Sequence, residues 1–159
     1  MVDDSASRMR LARVNNTVSE EAPHYQLEEQ VGHLLRRANQ RHTALFAERF
    51  GESSLTSLQF AALMKLAEVS AVSQNELGRL TAMDPNTVQG VVQRLERRGL
   101  IERRPHPEDR RRVNLALNAS GQSLAMSLVS DGLGISAQTL EPLSTEERTV
   151  FVQLLRKLI

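Results

Sequence analysis

Between Asp84 and Leu117 the hydrophobic period changes from that of a helix to that of a strand and breaks at two prolines. Asp84 is a strong N-cap residue, and Pro85 fits the first helical position, where its missing N–H is not needed. Val88, Val91, Val92 and Leu95 fall on one narrow face of this helix, and Gly99 stops it. Leu100–Arg104 reads as a short strand. Pro105-His106-Pro107-Glu108-Asp109-Arg110 cannot be regular structure, because proline fixes φ and donates no hydrogen bond. Val113, Leu115 and Leu117 then alternate with Asn114, Ala116 and Asn118, which predicts a second strand with one buried face. A capped helix running directly into a β-hairpin sets the centre of the fold.

The flanking segments are helical. Leu27, Val31, Leu34, Leu35, Ala38, His42, Leu45 and Phe46 recur at three- and four-residue steps, predicting a first helix from Tyr25 to about Phe50. Thr56-Ser57-Leu58-Gln59 and Ser73-Gln74-Asn75-Glu76 have the form of capping boxes. The first opens a helix carrying Phe60, Leu63, Met64 and Ala67, and the second a short helix carrying Leu77 and Leu80. After Gly121 helical spacing returns, with a bend expected at Gly132 and Gly134, each costing roughly 1 kcal/mol against Ala. A third capping box, Ser144-Thr145-Glu146-Glu147, opens the last helix. The fold class expected is mainly α with a small β-hairpin wing, in the order α-α-α-α-β-β-α-α. The domains expected are a mobile N-terminal arm over 1–24, a first helix over 25–52, a helix-turn-helix with its wing over 53–118, and C-terminal helices over 119–159. With four Phe, one Tyr and no Trp, the core must come from Leu, Val, Ala and Met, which suits packed helices.

Charge is uneven. The net charge is +1, but eight arginines and four acids lie between Arg94 and Arg112, a local charge of +4. Arginine is favoured where a planar fork must grip phosphate or base edges. On the predicted 84–98 helix, Asn86, Gly90, Gln93 and Arg97 lie opposite the valine face, flanked by Thr87, Gln89 and Arg94. Asn and Gln can pair bidentately with adenine in the major groove, and Arg with guanine. Gly90 leaves the middle of that face bare. Alone, such a helix reads first as an ordinary amphipathic segment with a solvated face. Followed by a basic hairpin carrying Arg103, Arg104, Arg110, Arg111 and Arg112, it reads as a helix-turn-helix with a wing.

The stretch Val92-Gln93-Arg94-Leu95-Glu96-Arg97-Arg98-Gly99-Leu100-Ile101-Glu102-Arg103, continued by Pro107-Glu108-Asp109-Arg110-Arg111-Arg112-Val113-Asn114-Leu115, resembles the MarR family of winged helix-turn-helix transcription regulators. The resemblance spans residues 27–159. Asp109 and Arg111 match an Asp-x-Arg signature of the family wing; by that resemblance Arg111 enters the minor groove and Asp109 holds the loop. Leu117-Asn118 and Gly121 stand where the family has Leu, Thr and Gly, so Asn118 is a departure. The resemblance implies a homodimer built from the first helix and the last two, a palindromic double-stranded DNA operator, and repression relieved by a small effector. The candidate DNA contacts are therefore Asn86, Thr87, Gln89, Gly90, Gln93, Arg94, Arg97, Arg104, Asp109, Arg110, Arg111 and Arg112.

The effector follows by exclusion and resemblance. With no cysteine there is no thiol redox sensing, disulfide or thiolate metal site. His33 and His42 lie nine residues apart on one predicted helix, on opposite faces, so no metal site is expected, nor any cofactor. An aromatic acid or its thioester is the family's common effector. His33, Arg36, Arg37 and Arg41 are candidate carboxylate partners, and Phe46, Phe60 and Met64 a candidate apolar wall; the plainer reading makes Phe46, Phe60 and Met64 core and the arginines solvated. No segment reaches 18 apolar residues and no apolar leader opens the chain, so a cytoplasmic protein without a membrane span is expected. An enzyme has no support, with neither a Gly-rich phosphate loop nor a Cys nucleophile. A winged helix that binds only protein is the alternative, but it would not need arginines at this density around one hairpin.

Overall fold

A computed structural model describes residues 25–51, 55–106, 108, 109 and 111–159. The arm expected over 1–24, the 52–53 domain boundary, and Arg110 in the wing lie outside the described residues.

Each capping signal starts a helix, because each supplies an acceptor for an N–H that the first turn leaves unpaired. Thr56 and Gln59 form a reciprocal capping box at the start of α2 (Ser57–Val69), as do Ser144 and Glu147 at the start of α6 (Thr145–Arg156). Ser73 caps α3 (Gln74–Leu80), but only one half of its box forms, because the Glu76 carboxylate turns to Arg79. Asp84 caps α4 (Pro85–Arg97). The first helix, α1 (Val31–Phe50), starts later than Tyr25; a 3-10 turn (Leu27–Glu29) and an extended Gln30 precede it.

The two strands of the wing, β2 (Ile101–Pro105) and β3 (Val113–Leu117), pair antiparallel in the register Ile101↔Leu117 to Pro105↔Val113. Pro105 closes its strand instead of preventing it, since a strand end needs no donor there. A third strand escaped the sequence reading: β1 (Ala71–Val72) pairs with β3, giving the order β1-β3-β2. That placement corrects the expected burial of β3. As the central strand it is buried on both faces from Asn114 to Leu117, and only Val113 is exposed. Between α3 and α4 the tight turn puts Ala82 at a positive φ of 52°.

Gly132 and Gly134, where a bend was expected, do not interrupt the helix. The helix α5 (Ala119–Thr139) runs unbroken for 21 residues. A Cβ at Gly132 would lie 2.6 Å from the tip of the Phe60 ring, so this glycine makes room for a tertiary contact. Phe60 in turn meets Phe46 and Phe50 of α1, with ring centroids 5.6 and 5.3 Å away. The far end of α5 is tied to α1 by Arg41, which donates to the carbonyls of Gln138 (3.0 Å) and Thr139 (3.4 Å), and its middle by the Arg49–Asp131 ion pair.

The core runs through α2, α3, α4 and the sheet, with Leu63, Leu66, Leu77, Val88, Val91, Val92, Leu95 and Leu115 fully buried, and takes in Phe46 and Phe50 of α1 and Ala125, Leu128 and Ile135 of α5. The outer helices differ. Among the described residues no side chain of α6 is buried, and Val31, Leu34 and Leu35 of α1, Leu133 of α5 and Leu154 of α6 stay exposed. No helix among the described residues is long and apolar enough to cross a membrane.

Candidate nucleic-acid interface

The site is built on α4. Its start is fixed by the Asp84 carboxylate, which accepts from the Thr87 hydroxyl and from the backbone N–H groups of Asn86 and Thr87 at 3.0 Å. The Thr87 hydroxyl bond, then the Thr87 backbone bond, holds the Asp84 carboxyl below the usual carboxylate range. Its end is a paired set of bonds, Leu100 N–H to the Leu95 carbonyl at 3.0 Å and Gly99 N–H to the Glu96 carbonyl at 2.8 Å. Gly99 provides the required left-handed residue, with φ +66°.

Between these ends the two faces separate as the sequence predicts. Val88, Val91, Val92 and Leu95 are at most 1% exposed. Asn86, Gln89, Gln93, Arg94 and Arg97 are exposed, and Gly90 is half-buried. A Cβ at Gly90 would meet only the Arg94 guanidinium, at 3.6 Å, so nothing in the fold requires glycine there. Thr87 is half-buried with its hydroxyl hydrogen given to Asp84. Arg97 Nε donates back to the Gln93 carbonyl at 3.3 Å.

The wing carries the remaining arginines. Its tip is shaped by Asp109, whose carboxylate accepts from Arg111 N–H at 3.0 Å while its carbonyl accepts from Arg112 N–H at 2.9 Å. Asp109 therefore acts on the loop backbone. His106 N–H donates to the Arg112 carbonyl and extends the strand pairing past Pro105. Arg111 and Arg112 are exposed with no side-chain partner among the described residues. Arg104 pairs with Glu102 at 2.6 Å, and Arg103 reaches across to Glu96 of α4 at 2.7 Å. Half of the acids in this basic window are thus occupied by strand arginines. Strand alternation was the available signal for Glu96 and Arg103, since it sends Arg103 to the opposite face from Glu102 and Arg104.

The candidate effector residues fall in two places. His33 and Arg36 share a 2.9 Å hydrogen bond near the start of α1, with Arg37 exposed beside them. Phe46 and Phe60 pack together, Phe46 being 6% exposed, and Met64 lines the same core. About 20 Å of helix separates His33 from Phe46, so the chain does not unite the cationic and apolar sets in one pocket. It does form a cavity of about 380 Å3 between α1, α5 and α6, lined by Leu35, His42, Thr139, Leu140, Phe151 and Leu155. The sequence reading missed it, because its walls come from segments about a hundred positions apart. The Thr139 hydroxyl donates to the Ile135 carbonyl, so the 3.0 Å contact with His42 has Nδ1–H as its donor.

Three helices in helix-turn-helix order, a recognition-type helix with a polar outer face and a basic hairpin beyond it define a winged helix-turn-helix DNA-binding regulator. A family model described as the MarR family matches residues 53–112. The chain is 42% identical over 135 residues to the HTH-type transcriptional repressor NicR of Pseudomonas putida, covering 85% of each chain. Among solved structures, it is similar to a probable transcriptional regulator from Pseudomonas aeruginosa (TM-score 0.80, 45% identity, 84% of this chain and 100% of that one). It is also similar to BpsR of Bordetella bronchiseptica, whose DNA binding is regulated by 6-hydroxynicotinic acid (TM-score 0.80, 41% identity, 85% and 96%). The chain belongs to the MarR family of transcription regulators.

Proposed function

We propose that this protein is a repressor that binds a palindromic operator as a homodimer and leaves it when an anionic aromatic effector binds. The observation that carries the reading is the division of α4: a fully buried valine-leucine face behind an exposed row of Asn86, Gln89, Gln93, Arg94 and Arg97. These residues, with Thr87 and the bare surface at Gly90, read base edges in the major groove. Arg111 enters the adjacent minor groove, where a narrow groove concentrates negative potential. Arg104, Arg110 and Arg112 meet phosphates, and Asp109 holds the loop in shape. The exposed apolar stripes of α1, α5 and α6 are covered by a second copy, and twofold symmetry then matches a palindrome. The protein works in the cytoplasm, where its DNA lies.

For the effector, the similarity to BpsR supports a hydroxylated heteroaromatic acid. Its carboxylate is gripped by His33, Arg36 and Arg37, and its ring lies against the Phe46, Phe60 and Met64 surface. Because His33 and Phe46 stand about 20 Å apart on α1, this reading has the two sets meet between copies in the dimer. The His42 cavity is a second seat, favoured by an imidazole set in a largely apolar lining whose Nε2 makes no hydrogen bond among the described residues.

Binding-site selection from a random duplex library, followed by sedimentation of the complex, tests the first part. A palindromic motif with half-sites about one helical turn apart supports it; a monomer on an asymmetric half-site overturns it. Titration of 6-hydroxynicotinic acid tests the second. Coupling is reciprocal, so operator DNA must weaken effector binding by the factor by which effector weakens operator binding. Equal effector affinity with and without operator refutes the switch.

A further inference from the structure

We propose that Asn118 is a positioning residue that clasps the exit of α4 to the first turn of α5, and that its side-chain N–H, not only its capping oxygen, sets the angle at which α4 meets DNA. The proposal rests on the reading of α4 as the DNA-reading helix.

A helix start needs one acceptor, and Thr56, Ser73, Asp84 and Ser144 provide it for the other capped helices. At position 118 three bonds converge. The Asn118 Oδ1 accepts from Gly121 N–H at 2.9 Å, which caps α5. Its Nδ2 donates to the Gly99 carbonyl at 2.8 Å, and its backbone N–H donates to the Leu100 carbonyl at 3.2 Å. One residue thus takes two of the three carbonyls between α4 and β2. The α5 backbone also rests directly on this exit, since a Cβ at Gly121 would lie 2.0 Å from the Leu100 oxygen.

The chemistry selects asparagine. Aspartate caps a helix but has no hydrogen to give Gly99, and a threonine hydroxyl must use one oxygen for both tasks. A carboxamide separates acceptor and donor at the two ends of one rigid plane. The junction it holds has α4 with Arg94 and Arg97 on one side, β2 and the wing on another, and the long α5 on the third. Slackening it leaves the buried face of α4 in the core while freeing the angle between α4 and α5.

The test compares the wild type with Asn118→Asp and Asn118→Thr, the second controlling for added charge. The probes are the duplex the wild type selects from a random library, versions with one base pair inserted or removed at its centre, and an unrelated duplex of equal length. Both variants keep a cap, so their melting temperatures should stay within a few degrees of wild type. Both should bind the selected duplex about tenfold more weakly, the scale of one hydrogen bond. Both should bind the unrelated duplex as wild type does, and discriminate less against altered spacing. Unchanged affinity and spacing preference in both variants would overturn the clasp, as would equal losses on both duplexes that track a lowered melting temperature. A wild type that selects no motif would overturn the DNA-reading role of α4 and this proposal with it, an outcome distinct from failure of the clasp alone.

Discussion

The Glu96 carboxylate of α4 receives the Arg103 guanidinium of the wing strand β2 at 2.7 Å, so the helix and the wing are joined by an ion pair. The pair is partly exposed, and exposed pairs contribute about 0–1 kcal/mol. Glu96→Gln should therefore change stability little. It removes an acid and releases a cation beside the proposed DNA face. Affinity for non-specific duplex should rise, and the slope of log affinity against log salt should steepen by up to ~1. Salt titrations of the two proteins decide this; an unchanged slope would mean that Arg103 does not face phosphate.

Arg111 and Arg148 should separate DNA binding from stability. The Arg148 guanidinium donates to the carbonyls of Leu143 (2.9 Å) and Glu141 (3.1 Å), fastening the turn between α5 and α6. Arg148→Ala should lower the melting temperature and leave DNA affinity at low temperature nearly intact. Arg111→Ala should do the reverse, because its side chain holds nothing in the described fold. Melting curves and fixed-salt DNA titrations on both variants test the pairing, and equal DNA losses would refute the wing assignment.

Gly132 and Gly134 should respond oppositely to alanine. Alanine raises helix propensity at either position by roughly 1 kcal/mol. At Gly134 a Cβ meets nothing within 4 Å, so Gly134→Ala should stabilise the protein. At Gly132 it strikes the Phe60 ring and displaces it from Phe46 and Phe50, so Gly132→Ala should destabilise it by about 1–3 kcal/mol. Denaturant midpoints measure both; a gain at Gly132 would show that the aromatic trio yields easily.

Asp84 gives a pH dependence with a fixed sign. Its folded-state carboxyl lies below its ordinary value, chiefly through the Thr87 hydroxyl bond. The charged cap's contribution is therefore complete above the ordinary carboxylate range and is lost as pH falls from there through the lowered value. Asp84→Asn removes this component, so the gap between the melting temperatures of wild type and variant should shrink under acid. A gap that is constant from neutral to acid pH would assign no linkage to this carboxylate.

Much of this architecture was legible because local chemistry and tertiary structure agree. Asp84-Pro85, Thr56, Ser73 and Ser144 mark helix starts whatever the surroundings, and the valines of α4 repeat often enough to identify its buried face. The misreadings arose where a distant residue decided the outcome. Gly132 resembles a helix breaker until Phe60 stands against it. Ala71-Val72 is too short to display a period, and only β3 alongside makes it a strand, which also buries the second face of β3. The exposed face of α4 could be read from one helix, whereas the cavity at His42 needs three helices brought together.

The unbroken course of α5 gives the molecule a lever. Its 21 residues span about 30 Å, with Asn118 fastened to the exit of α4 at one end and Arg41 holding the carbonyls at the other. Over such a length a tilt of about 4° carries the far end through about 2 Å, enough to part a hydrogen bond of ordinary length. A single helix thus runs from the α1 contact at Arg41 to the exit of α4 at Asn118.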